Sequence, residues 1–176
     1  MDEVELSTVV YLPPEEIYEF LIDFPRYANY SEYLTDVRQH GDGSPGTQYD
    51  LRLAWWKISH TARSEVTEVD PPARIDWKLV KDVDARGHWA IEEVPEEAPE
   101  GHETASRVWL RAGFDPSSAN ESAIDLPRLV SIGWVIKKIK PLIEKEAKRV
   151  VKRVVADLEG EPRPVELTLH RTPDSV

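Results

Sequence analysis

From residue 126 to residue 160 apolar side chains return every three or four positions: Ile132, Ile136, Ile139, Ile143, Ala147, Val150, Val154 and Leu158. That period predicts one long α-helix with an apolar face. Val135, Leu142, Val151 and Val155 widen the face to the breadth of a helix lying on a sheet, while Lys138, Lys145, Lys148, Arg149 and Lys152 fall on the opposite side. At 1.5 Å per residue the helix would span about 45 Å, so it needs a broad apolar partner. Gly133 and Pro141 interrupt it. Proline removes a helical hydrogen bond, which predicts either a bend or two helices joined near Ile139. Asp125 or a nearby serine is expected to cap its start.

The chain before this helix changes period. Residues 3–11 alternate with β-branched residues, predicting a strand that Pro13 and Pro14 end. Glu15 and Glu16 suit the first turn of a short helix whose apolar face is Ile17, Phe20, Leu21 and Phe24. A tyrosine-rich stretch (Tyr27, Tyr30, Tyr33) suits a second short helix, followed by a strand over 35–40. GDGSPG at 41–46 spells a dinucleotide-binding pattern, yet Pro45 lies inside it and a strand follows, so it reads as a turn. Antiparallel strands then follow to residue 115. Tyr49, Leu51, Leu53 and Trp55 form one inward row; Ile58, His60, Ala62, Ser64 and Val66 form the next. Ile75, Trp77 and Leu79, then Trp89 and Ile91, then Val108, Leu110, Ala112 and Phe114 continue it. Tyr49, His60, Ser64 and Ser106 are polar positions on or beside these rows, and inward polar groups need a partner or a ligand.

Composition narrows the classes of function. With 40% hydrophobic and 31% charged residues, the chain has the balance of a soluble globular protein. A net charge of -11 opposes attraction to nucleic acid and limits contact with an anionic membrane to a transient one. There is no cysteine, which excludes disulfides and thiolate chemistry. The five histidines are scattered without metal spacing, and neither a metal nor another cofactor is expected. The start, MDEVELS, lacks the pattern of a secretion signal, and no apolar run reaches the roughly 20 residues of a membrane span. A cytoplasmic protein is expected.

The order strand, two short helices, antiparallel strands and long terminal helix resembles the START-like (SRPBCC) superfamily of helix-grip proteins. Its members include polyketide cyclases, aromatases, lipid-transfer domains and coenzyme Q-binding proteins. The segment VELSTVVYLPPEEIYEFLIDFPRYANY, residues 4–30, carries the resemblance most specifically, with Asp23, Phe24 and Tyr27 in place and Tyr30 where many members have tryptophan. The resemblance implies an α+β fold in which a curved antiparallel sheet of about six to seven strands wraps the C-terminal helix. It covers residues 1–160, and leaves 161–176 as a tail with a short strand near Val165 to His170.

The resemblance also implies a cavity for a hydrophobic ligand between sheet and helix, and the inward tryptophans on three strands fit it. Tyr49, Leu53, Trp55, His60, Trp77 and Trp89 are the expected floor, and Leu142 and Ile143 the ceiling. Binding or transport of a lipid, isoprenoid, quinone or polyketide-like molecule is the leading reading. A cyclase or aromatase that handles protons with His60 and Tyr49 is the alternative, although no carboxylate partner for His60 is visible beside it. A third reading is a protein-interaction module using the basic face from Lys138 to Arg153.

Overall fold

The computed structural model describes residues 2–120 and 126–172. Strand β1 (Asp2–Val10) leads through the two prolines into α1 (Pro14–Ile22), which has a proline at its start and Glu15 and Glu16 in its first turn. A 3₁₀ helix (Phe24–Asn29) follows. Then come β2 (Leu34–His40), β3 (Gln48–Trp55), β4 (Ile58–Asp70), β5 (Arg74–Leu79), β6 (Asp84–Glu93) and β7 (Ser106–Asp115). Helix α2 (Ile132–Glu159) crosses back over the sheet, and β8 (Thr168–Arg171) ends the described chain.

The strands form one antiparallel sheet in the order β2-β3-β4-β5-β6-β7-β1-β8. The helix-grip architecture implied by the family resemblance is present, with eight strands instead of six to seven. The added strand is β8, which pairs Leu169 with Leu6 and Thr168 with Ser7. On the outer face His170 stacks on Trp109 at 4.7 Å and meets the Ser7 hydroxyl at 2.8 Å. The GDGSPG stretch is the connection between β2 and β3, as its proline requires.

Alternation along the strands decides the inner face. Tyr49 lies opposite Ser64, Val66 opposite Trp77, Trp77 opposite Gly87, and Trp89 opposite Leu110. Gly87 is needed here: a Cβ at this position would sit 2.7 Å from the Trp77 ring and 2.4 Å from the Arg111 carbonyl oxygen. The missing side chain lets the Trp77 indole lie across β6.

Helix α2 is continuous through Pro141. It begins at Ile132, the first residue of the apolar period but later than the start of the 126–160 stretch, and Ser131 caps it: its hydroxyl accepts from the Trp134 N–H at 3.2 Å. Ser131 lies inside the stretch expected to be helical, whereas the expected cap Asp125 lies outside the described residues, as do the side chains of Ile132, Ile136 and Ile139. Gly160 ends the helix in the left-handed conformation at φ 85°. Val155 is the most deeply buried of the described side chains of α2, and Val150, Val151, Val154 and Leu158 pack against the core around it.

Polar contacts hold α2 along one edge. The Tyr30 hydroxyl donates to Asp157 at 2.8 Å, and Arg153 donates back to the Tyr30 carbonyl at 2.9 Å. Glu146 accepts from the Glu32 N–H at 2.9 Å. At the C-terminal end the Glu159 carboxylate is sealed from solvent, accepting from the Tyr11 N–H at 2.8 Å and from Arg163 at 2.7 Å. Arg163 also stacks over the Tyr11 ring at 3.7 Å and reaches the Val9 carbonyl. Two of the basic residues read as an open face, both exposed, have partners within the chain: Arg153 as above, and Arg149 in an i,i+3 pair with Glu146.

Two predictions follow from this anchoring. Val155→Asp, which puts an unpaired charge at a 2% exposed site, should remove cooperative thermal unfolding altogether. Arg163→Ala should cost about 3 kcal/mol in urea denaturation, because it leaves the Glu159 carboxylate buried without its partner. An Arg163→Ala loss below about 0.5 kcal/mol would show that the pair is no stronger than a surface one.

Candidate functional site

The edge-on attachment of α2 leaves a gap between its apolar face and the sheet. The first lobe of this gap has a volume of about 420 Å³. Its roof is α2, from Ile143 through Val150 and Val154 to Leu158; its side wall is Ile17, Phe20 and Leu21 of α1 with Tyr27 and Tyr30; its floor is Thr8, Val10, Trp89 and Val108. Ile143 is 59% exposed, so the lobe reaches the surface beside it. The second lobe, about 500 Å³, lies beyond the cover of α2, over the middle of the sheet between Leu51, Ser64, Trp77, Leu79, Trp89 and Phe114, with Phe24 and Tyr27 beside it. Tyr27, Leu34 and Trp89 line both lobes and form the partition between them.

The walls are apolar and electrically quiet. Both volumes fall within the range of small-molecule sites, about 300–1,000 Å³. The phenols stay neutral. Burial, reinforced by Tyr49 and Asp23, pushes the Tyr27 hydroxyl well above its usual range, and it donates to the Leu21 carbonyl. Burial followed by the Asp157 hydrogen bond raises Tyr30, and burial followed by the charges of Asp23 and Asp42 raises Tyr49. Glu146, the one carboxylate in the lining, is held below the ordinary range by the Arg149 guanidinium. No lysine or arginine lines either lobe among the described residues.

The residues expected from sequence are distributed unevenly around this gap. Trp77 and Trp89 lie on the floor and Ile143 in the roof. Leu142 is half-buried on α2 outside the lining, and Tyr49 is fully buried behind the wall, its ring 4.6 Å from that of Phe24. Trp55 and Leu53 lie near the end of the β3–β4 hairpin. Trp55 meets Trp56 and Trp134 at ring distances of 6.0 and 6.4 Å, and Leu53 is 40% exposed. His60 has a carboxylate partner that the sequence hides: Asp82, in the β5–β6 turn at φ 70°, approaches its Nε2 to 3.4 Å. His60 and Tyr49 are not a pair. They stand opposite Leu53 and Ser64, four residues apart along the strands, which is about 13 Å.

Sequence reasoning missed most of the first lobe. Phe20, Leu21, Tyr27, Tyr30, Val150 and Val154 read as ordinary core, and only the crowding of tyrosines over 27–33 marked the region. Of the four polar positions on or beside the inward rows, Ser106 donates to the Leu12 carbonyl at 2.8 Å and His60 meets Asp82. The Ser64 and Tyr49 hydroxyls are buried without a hydrogen-bond partner among the described residues.

Comparison with known proteins agrees with this architecture. The Zhui aromatase/cyclase from a Streptomyces species superposes with a TM-score of 0.62 at 16% identity, covering 89% of this chain and 93% of that one. A START superfamily protein from Mycobacterium smegmatis gives 0.59 at 16% identity over 90% and 99% of the two chains. A protein from Thermus thermophilus gives 0.59 at 15% identity over 90% and 97%. At such identities the likeness establishes the fold alone. No curated relative matches the chain. Residues 1–155, however, match the family described as polyketide cyclase / dehydrase and lipid transport, and the chain belongs to that family.

Proposed function

We propose that this protein binds and carries a hydrophobic small molecule in the gap between α2 and the sheet. The observation that carries the reading is an apolar lobe roofed by α2, joined at Tyr27, Leu34 and Trp89 to a second apolar lobe over the middle of the sheet. Burying an apolar ligand there removes both its surface and the lining from water, at roughly 25 cal/mol per Å². The attraction is nondirectional, so several molecules of suitable length should bind. In this reading the carrier works in the cytoplasm and meets membranes only in passing, since its charge of -11 opposes an anionic bilayer. The described part of the chain has no helix long and apolar enough to cross one.

The cyclase alternative has less support. Neither Tyr49 nor His60 belongs to the lining of either lobe, and the distance between them separates a donor from an acceptor. The interaction-module reading has less support too, because the exposed Arg149 and Arg153 already pair within the chain, with Glu146 and the Tyr30 carbonyl.

Titration with a long-chain methyl ketone, followed by quenching of Trp77 and Trp89, should saturate at one equivalent. Ala147→Phe, which adds a ring to the roof of the first lobe, should weaken binding at least tenfold and leave the melting temperature unchanged or higher. Saturable quenching that Ala147→Phe does not alter would place the ligand elsewhere and overturn the proposal.

A further inference from the structure

We infer that the ligand is neutral and places one hydrogen-bonding oxygen, that of a ketone, ester, quinone or alcohol, in the second lobe against the Ser64 hydroxyl. The inference rests on the carrier reading above and narrows its ligand class.

Ser64 stands on β4, lines the second lobe and is 4% exposed. Its Oγ has no hydrogen-bond partner among the described residues. A buried hydroxyl left in that state is costly, and a rotation about the Ser64 Cα–Cβ bond towards the lobe would let a bound oxygen satisfy it. The other polar groups in the lining are different. Thr8 donates to the Glu166 carbonyl, Tyr27 to the Leu21 carbonyl and Tyr30 to Asp157. Ser31 accepts from the Tyr33 and Leu34 N–H groups, and Glu146 from Arg149 and Glu32. Ser64 is the lining side chain whose polar atom is both sealed from water and unpartnered among the described residues, unlike the Tyr33 hydroxyl and the Trp77 and Trp89 N–H groups, which are not so buried. The Tyr49 hydroxyl is also unpartnered, but it is not part of the lining.

Charge decides the rest. The second lobe contains no cationic side chain among its lining residues, and the only charged group in the first is Glu146. A fatty-acid carboxylate placed in either lobe would be a desolvated anion with no compensating cation. A neutral oxygen escapes that penalty, because one hydrogen bond from Ser64 meets its need. The apolar remainder then extends past Tyr27 and Trp89 into the first lobe towards Ile143.

Three probes of equal chain length separate this inference from the reading beneath it: 2-hexadecanone, hexadecane and palmitate at pH 8, each titrated into the full chain by tryptophan quenching. The ketone should bind at least tenfold more tightly than either of the others. Ser64→Ala should bring ketone affinity down to that of the alkane, leave the alkane unchanged, and leave the melting temperature equal or higher, since no hydrogen bond is lost. Palmitate binding as tightly as the ketone would overturn the inference, as would a Ser64→Ala variant that keeps full ketone affinity or weakens ketone and alkane alike. If none of the three binds, the carrier reading itself fails, and this inference with it.

Discussion

The structure depends on how α2 is held. Its contacts with residues 29–32 and with Tyr11 are polar and directional: Asp157 to Tyr30, Arg153 to two backbone carbonyls, Glu146 to a backbone N–H, and Glu159 to Tyr11 and Arg163. Such contacts set the height and rotation of the helix at one edge, whereas apolar packing alone would draw it down until the gap closed. Among the described side chains of α2, only Val135 and Val155 are fully buried. The helix therefore acts as a rigid cover hung from the segment between α1 and β2, with an apolar underside of Val150, Val154 and Leu158 that the sheet does not fill.

A second constraint comes from the partition. Tyr27 reaches the middle of the gap from the 3₁₀ helix, stacks with Phe20 at 5.6 Å, and meets Trp89 edge-on at 6.5 Å. Its hydroxyl is occupied by the Leu21 carbonyl, so the ring is fixed where the two lobes meet. Below it, Gly87 admits the Trp77 indole, which shapes the floor of the second lobe. Two large rings and one absent side chain thus determine the space that a ligand would occupy. The chemistry of the walls leaves little besides size and one hydroxyl to select it.

Much of this was legible in the sequence, because alternation along strands and the three-to-four period of α2 are local properties of the chain. The inward rows, the turn at 41–46 and the apolar stripe follow from them directly. What was not legible depends on distances between elements. Whether Tyr49 lines a space or stands behind a wall is settled by where Phe24 packs, and whether Phe20 or Val150 faces a void is settled by the height of α2. Asp82 is hidden for a similar reason: it meets His60 only because the β5–β6 turn adopts a left-handed conformation there. The polar positions of the inner face were visible as a set, but only the fold distinguishes Ser106, bonded to Leu12, from Ser64, which has no partner among the described residues. The eighth strand was readable as β-prone, while its place beside β1 was not.

The central claim, that the space beneath α2 receives an apolar ligand whose oxygen lies deep over the sheet, is tested most directly by crystallography with a labelled ligand. A long-chain ketone brominated at the far end of its chain would give one anomalous peak, and this account places it in the first lobe near Ile143, with continuous density running past Trp89 to an oxygen at Ser64. A bromine peak confined to the exposed tryptophans at the hairpin end, with both lobes closed by rearranged side chains, would contradict it.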